Sequence, residues 1–251
     1  ANIGSARNWT GHPFGQANWY TFGRLSWNPG EGAQCIAEDW IRMTFTDDES
    51  FMKPVSEMMM SSRETAVNYM APLGLTMLMD ISHYRPAPWR RDKPMPIGTV
   101  ESFHHASASG IGYDRTKTGS NAVNQYFPEV KVQFSGIETC PQKYLLWFHH
   151  LSWGHKMSSG YSLWDQLCLQ YQRGNDEVLN MQQTWKQMEG KIDSERFSKV
   201  NALLSTQKDE AEIWKNASLL YFQTFSKKPF PQGVDAPAHS LQFYKDLKFR
   251  E

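Results

Sequence analysis

The chain has 251 residues, 40% of them hydrophobic, and 26 basic side chains balance 26 acidic ones for a formal net charge of +0. That length allows one large domain or two small ones, with enough apolar material for a sizeable core. No basic field exists to collect nucleic acid or anionic lipid, and no apolar run approaches the ~18 residues of a membrane-spanning helix. The 10 Trp, 10 Tyr and 14 Phe fit either a bulky helical core or a carbohydrate surface, and the core covers most of them. Cys35, Cys140 and Cys168 cannot all pair and form no CxxC, so Cys35 and Cys168, inside expected helices, read as buried free thiols. The chain begins at Ala1 and carries no signal peptide, the pattern expected of a processed or excised piece. Its compartment stays open, periplasmic, extracellular or cytoplasmic, for a soluble protein.

Ala1 to Gly4 reads as the end of a strand, Ser5 to Pro13 as a polar loop, and Phe14 to Trp27 as a helix. One such βα unit cannot bury both its faces alone, so the chain is expected to begin inside a larger fold. Asn28-Pro29-Gly30-Glu31-Gly32 is a break. The following pattern predicts a helix over Ala33 to Phe45 with Ile36, Trp40 and Met43 on one face. A second helix is predicted from about Ser50 to Met60, and a third is opened by the capping box Ser61-Ser62-Arg63-Glu64 and stopped at Ala71-Pro72. Met58-Met59-Met60 reads as a flexible core filler rather than a thioether metal cluster.

Regular helix is scarce from Gly74 to Gly119. Helices resume with Ser120 to Phe127, then Pro128, then a capping box at Thr139-Cys140-Pro141-Gln142 that opens a helix to about His150. Ser162-Leu163-Trp164-Asp165 caps the next, which should end near Gly174. Asp176 to Glu189, closed by Gly190, and about Glu195 to Ser226, opened by Asp193 or Ser194 and ended before Pro229, should pair as a long antiparallel hairpin. The fold class expected is mainly α, a multi-helical domain preceded by a fragment of α/β.

The irregular stretch holds Asp80-Ile81-Ser82-His83-Tyr84-Arg85-Pro86-Ala87-Pro88-Trp89-Arg90. Two prolines at alternate positions push the preceding residues out of the α region, so the segment runs extended and stiff. An imidazole, a phenol, a guanidinium and an indole on such a backbone suit a sugar or carboxylate. A proline-rich connector whose Trp plugs a gap between helices is the plainer alternative.

His149, His150 and His155 do not make a metal set, because neighbours on a helix diverge by about 100° and no carboxylate or thiol completes the ligands. His104 and His105 on an extended segment face opposite ways, one buried and one exposed. Asp80 and Asp114 read more simply as capping or ion-pair residues than as a glycosidase acid and base. No nucleophile-elbow, Walker or dinucleotide motif is present, and no cofactor is expected.

The residues themselves say more. ANIGSARNWTGHPFGQANWYTFGRLSWNP, over 1–29, resembles the end of the catalytic barrel in family 67 glycoside hydrolases, the α-glucuronidases of xylan breakdown. AEDWIRMTF, EMMMSSRETAVNYMAPLGL, GIGYDRT, GSNAVNQY, ETCPQKYLLWFHH and SLLYFQTFSKKP resemble the same family's C-terminal helical domain. The resemblance implies the last βα unit of a (β/α)8 barrel over 1–29, a helical domain over 30–231 and a tail over 232–251. It also implies inverting removal of (4-O-methyl)glucuronic acid from a xylooligosaccharide. In the family the catalytic carboxylates lie upstream of the block matching Ala1, so this chain by itself should be inactive, with no catalytic residue of its own. The resemblance further implies a homodimer contact in the helical domain, and two groups of substrate-binding residues. Arg7, Asn8, Trp9 and His12 fall in the last barrel loop, at the active end of such barrels. His83, Tyr84 and Trp89 match the family's His-Tyr-x-Pro-x-Pro-Trp loop, with Trp89 in the place of a stacking platform for xylose. The family carries glycines where this chain has Arg85 and Ala87, so the backbone here is more restricted. The rivals are a stand-alone helical interaction or dimerisation module and an independent sugar-binding domain.

Overall fold

The computed structural model describes residues 9–80, 85–90 and 101–247. Helices dominate these residues, and among them strand pairing is limited to isolated bridges. The expected strand at Ala1 to Gly4 lies outside the described residues. The chain forms two compact units: the part up to Thr65 with Asp176–Glu210, and Ala66–Asn175 with the part from Ala211 onward.

In the first unit, α1 (Pro13–Trp27) starts where His12 caps it and Pro13 takes the first turn, whose missing N–H costs nothing there. Arg24 near its end pairs with Glu31 and with Asp39 of α2 (Ala33–Thr44). Next comes α3 (Glu49–Met70), a single helix where two were predicted: Ser61 and Ser62 turn their hydroxyls onto the Met58 and Met59 carbonyls inside the helix instead of capping a new one. Trp40, Ile41, Phe51, Val55, Val200 and Trp185 make the core. Trp185 is fully buried, stacks on Phe197 with ring centroids 6.0 Å apart, and meets Phe14, Phe45 and Phe51 edge-on. Its indole N–H donates to the Phe197 carbonyl at 3.0 Å. Met43, expected on the buried face of α2, is exposed, as is Met60, and Cys35 is an exposed thiol rather than a buried one.

The second unit runs from the end of α3 through a short 3-10 turn, Pro72–Gly74, into the irregular region. Here lie α4 (Glu101–His104), a 3-10 turn at Ala122–Gln125 where a longer helix was predicted, α5 (Pro128–Ser135), and α6 (Leu145–Phe148). Thr139 does not open the last of these. Its hydroxyl donates back to the Gln133 carbonyl at 2.9 Å and so finishes α5.

The longest elements are α7 (Leu163–Lys186) and α8 (Ser194–Ser226), and each contributes residues to both units. Ser162 caps α7, accepting the Asp165 N–H and donating to its carboxylate, and Asp193 caps α8 by accepting the Arg196 N–H. Within each unit the two helices pair antiparallel, Trp185 beside Phe197 and Gln172 beside Lys215. α7 does not stop at Gly174 as predicted. A Cβ there would lie 2.4 Å from the Tyr69 nitrogen, so the glycine permits close helix packing rather than an ending. Leu163, Trp164, Leu167 and Tyr171 are buried with Leu219 and Phe222. α9 (Leu241–Asp246) lies in the tail, and Tyr244 on it accepts from Asn216 of α8 at 3.0 Å.

Candidate functional site

The proline-rich stretch is a small hairpin, not a free connector. The Ala87 N–H donates to the Leu78 carbonyl at 2.7 Å, the Asp80 N–H to the Arg85 carbonyl at 2.9 Å, and Met79 and Pro86 form an antiparallel bridge. Pro86, Ala87 and Pro88 are buried, and Arg90 turns back to pair with Asp80. His83 and Tyr84 lie outside the described residues.

Trp89 is half-buried. Its ring meets Tyr221 of α8 edge-on at 6.3 Å between centroids, and Lys245 of α9 places its ammonium 5.7 Å from the ring centroid. Arg85 donates to the Leu247 carbonyl at 3.3 Å, so the tail is fastened at two points along the returning arm of the hairpin. Beneath, His104 is fully buried against Tyr221 and Phe222. Its Nε2 sits 2.8 Å from the Pro88 carbonyl, and its Nδ1 accepts the Ala106 N–H at 3.0 Å. A neutral imidazole with its proton on Nε2 satisfies both bonds. His105 is exposed, edge-on to Tyr113.

Of the other group, Arg7 and Asn8 lie outside the described residues. Trp9 is 61% exposed and leans on Trp19, centroids 5.6 Å apart. His12 is occupied as the cap of α1, its Nδ1 accepting the Gly15 N–H at 3.1 Å. Burial first, and then the charge of Lys199, hold its pKa below the ordinary histidine value. Trp9 and His12 belong to the first unit and Trp89 to the second.

GIGYDRT is a tight turn. Gly112 has φ +102, and a Cβ there would lie 2.1 Å from the His149 carbonyl oxygen. Arg115 lies between Tyr113 and Trp147, its guanidinium carbon 4.3 Å and 3.6 Å from the two ring centroids. Asp114 accepts from the Thr116 N–H and from the hydroxyls of Thr116 and Thr118. Burial pushes its pKa up, but these hydrogen bonds outweigh it and hold the carboxyl below its usual range, which suits a structural acceptor and not a general acid. α6 ends at Phe148, so His149 and His150 follow the helix rather than ride on it. The His150 Nδ1 is 2.8 Å from the Gly112 carbonyl. Among the described residues no three His, Cys, Asp or Glu side chains stand close enough to share a metal ion.

The sequence named Trp89 but missed its supports. Tyr221, His104 and Lys245 lie far from it along the chain, and no local pattern marks them.

The description that matches this chain is "Glycosyl hydrolase family 67 C-terminus", over residues 10–235. Among curated proteins, a probable alpha-glucuronidase A of Aspergillus niger is 31% identical over 235 residues, covering 92% of this chain and 28% of that protein. Alpha-glucuronidase A of Emericella nidulans is 32% identical over the same length, covering 92% and 27%. Alpha-glucuronidase A of Aspergillus tubingensis is 30% identical, covering 92% and 28%. The chain thus spans about 28% of the length of such relatives, and within that span it belongs to glycosyl hydrolase family 67.

Proposed function

We propose that this chain is the C-terminal part of an α-glucuronidase that cleaves the α-1,2 bond of (4-O-methyl)glucuronic acid on xylooligosaccharides with inversion of configuration. The match to the family's C-terminus over residues 10–235 carries this reading. In such a reaction one carboxylic acid protonates the leaving oxygen and carboxylate activates water on the opposite face of the sugar. Those groups belong to the barrel. Residues 1–29 are its last βα unit, the part from 30 to 231 supports it and contributes a dimer contact, and 232–251 is a tail. The full-length protein should release glucuronic acid from aldouronic acids, with the α anomer of the substrate appearing first as β by NMR, while the 251 residues alone should release none. Turnover by the isolated chain would return Asp80 and Asp114 to consideration as catalysts.

Within that reading Trp89 is the platform for the xylose unit, with His83 and Tyr84 beside it, and Arg7, Asn8, Trp9 and His12 line the barrel loop. Three features support Trp89: the proline brace on its N-terminal side, the Tyr221 ring packed edge-on at 6.3 Å, and the Lys245 ammonium 5.7 Å from its centroid, which together hold a half-buried indole in place. A braced indole loses little freedom on stacking. Burying a sugar face of order 50 Å² at ~25 cal/mol/Å² gives roughly 1 kcal/mol. Trp89→Ala in the full-length enzyme should therefore raise KM by about tenfold or less, with kcat little changed. A fall of roughly 3–5 kcal/mol in stability with unchanged KM would make Trp89 a core plug instead.

A further inference from the structure

We infer that His104 is a positioning residue for substrate binding, acting through Trp89; this rests on the reading of Trp89 as the sugar platform. His104 is 0% exposed and touches no sugar. It is built into the underside of the hairpin at the carbonyl that immediately precedes the indole. Its Nε2–H donates to the Pro88 oxygen at 2.8 Å, and the acceptor at Nδ1 is filled by the Ala106 N–H at 3.0 Å, so the ring is held in one orientation and one tautomer. The geometry has a second half. The His104 ring stands 5.7 Å from Tyr221, and Tyr221 stands 6.3 Å from Trp89, both edge-on. One imidazole therefore fixes the backbone next to the indole and also the ring the indole leans on. Pro88 has no N–H, so the backbone here offers one anchoring donor fewer, and His104 is a buried donor that holds the Pro88 carbonyl. Losing that donor leaves a buried carbonyl unsatisfied and lets the Pro88–Trp89 peptide rotate. A platform that rotates loses its alignment before binding, which lowers affinity without changing the chemistry on the bound complex.

The test uses the full-length enzyme with glucuronic-acid-bearing xylooligosaccharides. His104→Asn keeps an acceptor near the Nδ1 position for the Ala106 N–H but cannot reach Pro88. His104→Gln places an amide N–H near the Nε2 position and keeps that bond. The expected result is that His104→Asn raises KM about as much as Trp89→Ala does, up to about tenfold, with kcat within about twofold. His104→Gln should restore most of the lost affinity. Because His104 acts through Trp89, the double variant Trp89→Ala with His104→Asn should bind no worse than Trp89→Ala alone. A wild-type KM in His104→Asn, where Trp89→Ala raises KM, would overturn the inference and leave the platform intact. Multiplying effects in the double variant would overturn it as well. A wild-type KM in Trp89→Ala itself would sink the platform reading instead.

Discussion

His12 joins sequence, fold and pH in one side chain. Its Nδ1 caps α1 by accepting the Gly15 N–H, which a protonated ring cannot do. Burial and the Lys199 charge place its folded pKa below the ordinary value of 6.5. The unfolded chain therefore takes up the proton first. The stability His12 contributes is complete above about pH 6.5 and is lost as pH falls through the lowered folded value. Burial lowers the pKa of His149 too, although the Phe134 carbonyl and Asp114 pull it the other way, so its contribution has the same sign. His12→Asn separates the two, because Asn caps without titrating. Between about pH 7 and pH 5 the melting temperature of the variant should fall less than that of the wild type. Parallel curves would remove His12 from the account.

At the scale of an element, α3 carries Pro54 inside it and still runs unbroken from Glu49 to Met70. Proline supplies no N–H, so the Ser50 carbonyl one turn earlier lacks its helical partner. Lys191, just beyond α7, fills that place: its ammonium donates to the Ser50 carbonyl at 3.0 Å and reaches the Ser50 hydroxyl at 2.7 Å. Lys191→Met should cost ~0.5 kcal/mol, the low end for a solvent-exposed bond. In a Pro54→Ala background, where residue 54 has its own N–H for that carbonyl, the cost should shrink toward zero. Denaturant unfolding of the four chains measures the coupling, and simple additivity would mean that Lys191 acts elsewhere.

At the scale of the molecule, α1 has two unlike faces. Pro13, Gly15, Ala17 and Phe14 turn into the first unit, while Trp19, Phe22 and Trp27 are 56%, 68% and 92% exposed, with Trp9 beside Trp19 at 61%. Large rings left together on a surface mark an interface. This is the face that neighbouring barrel elements would cover in the proposed enzyme. The isolated 251-residue chain should therefore self-associate through it, and Phe22→Lys combined with Trp27→Lys should shift it toward monomer in sedimentation experiments. A wild-type chain that stays monomeric across a wide concentration range would count against an interface here.

The sequence alone determined where most helices begin and that the last two long helices form a hairpin, because those signals are local. The Ser162 and Asp193 caps and the stop before Pro229 each act within one turn of the residues they govern. It also carried the family, since long blocks of specific residues survive in it. What only the tertiary structure decided are the places where a local signal met a distant partner. Gly174 read as a helix stop and Ser61 as a helix start, yet α7 and α3 continue through them. At Gly174 the missing Cβ makes room for the backbone of Asn68 and Tyr69, and at Ser61 a helical carbonyl takes the hydroxyl. Thr139 read as a cap and instead closes the helix behind it. The candidate site divides in the same way. Two prolines in the sequence made Trp89 stand out, but its brace comes from His104, Tyr221 and Lys245, contacts that exist only once a buried carbonyl and a half-buried ring must find partners across the fold.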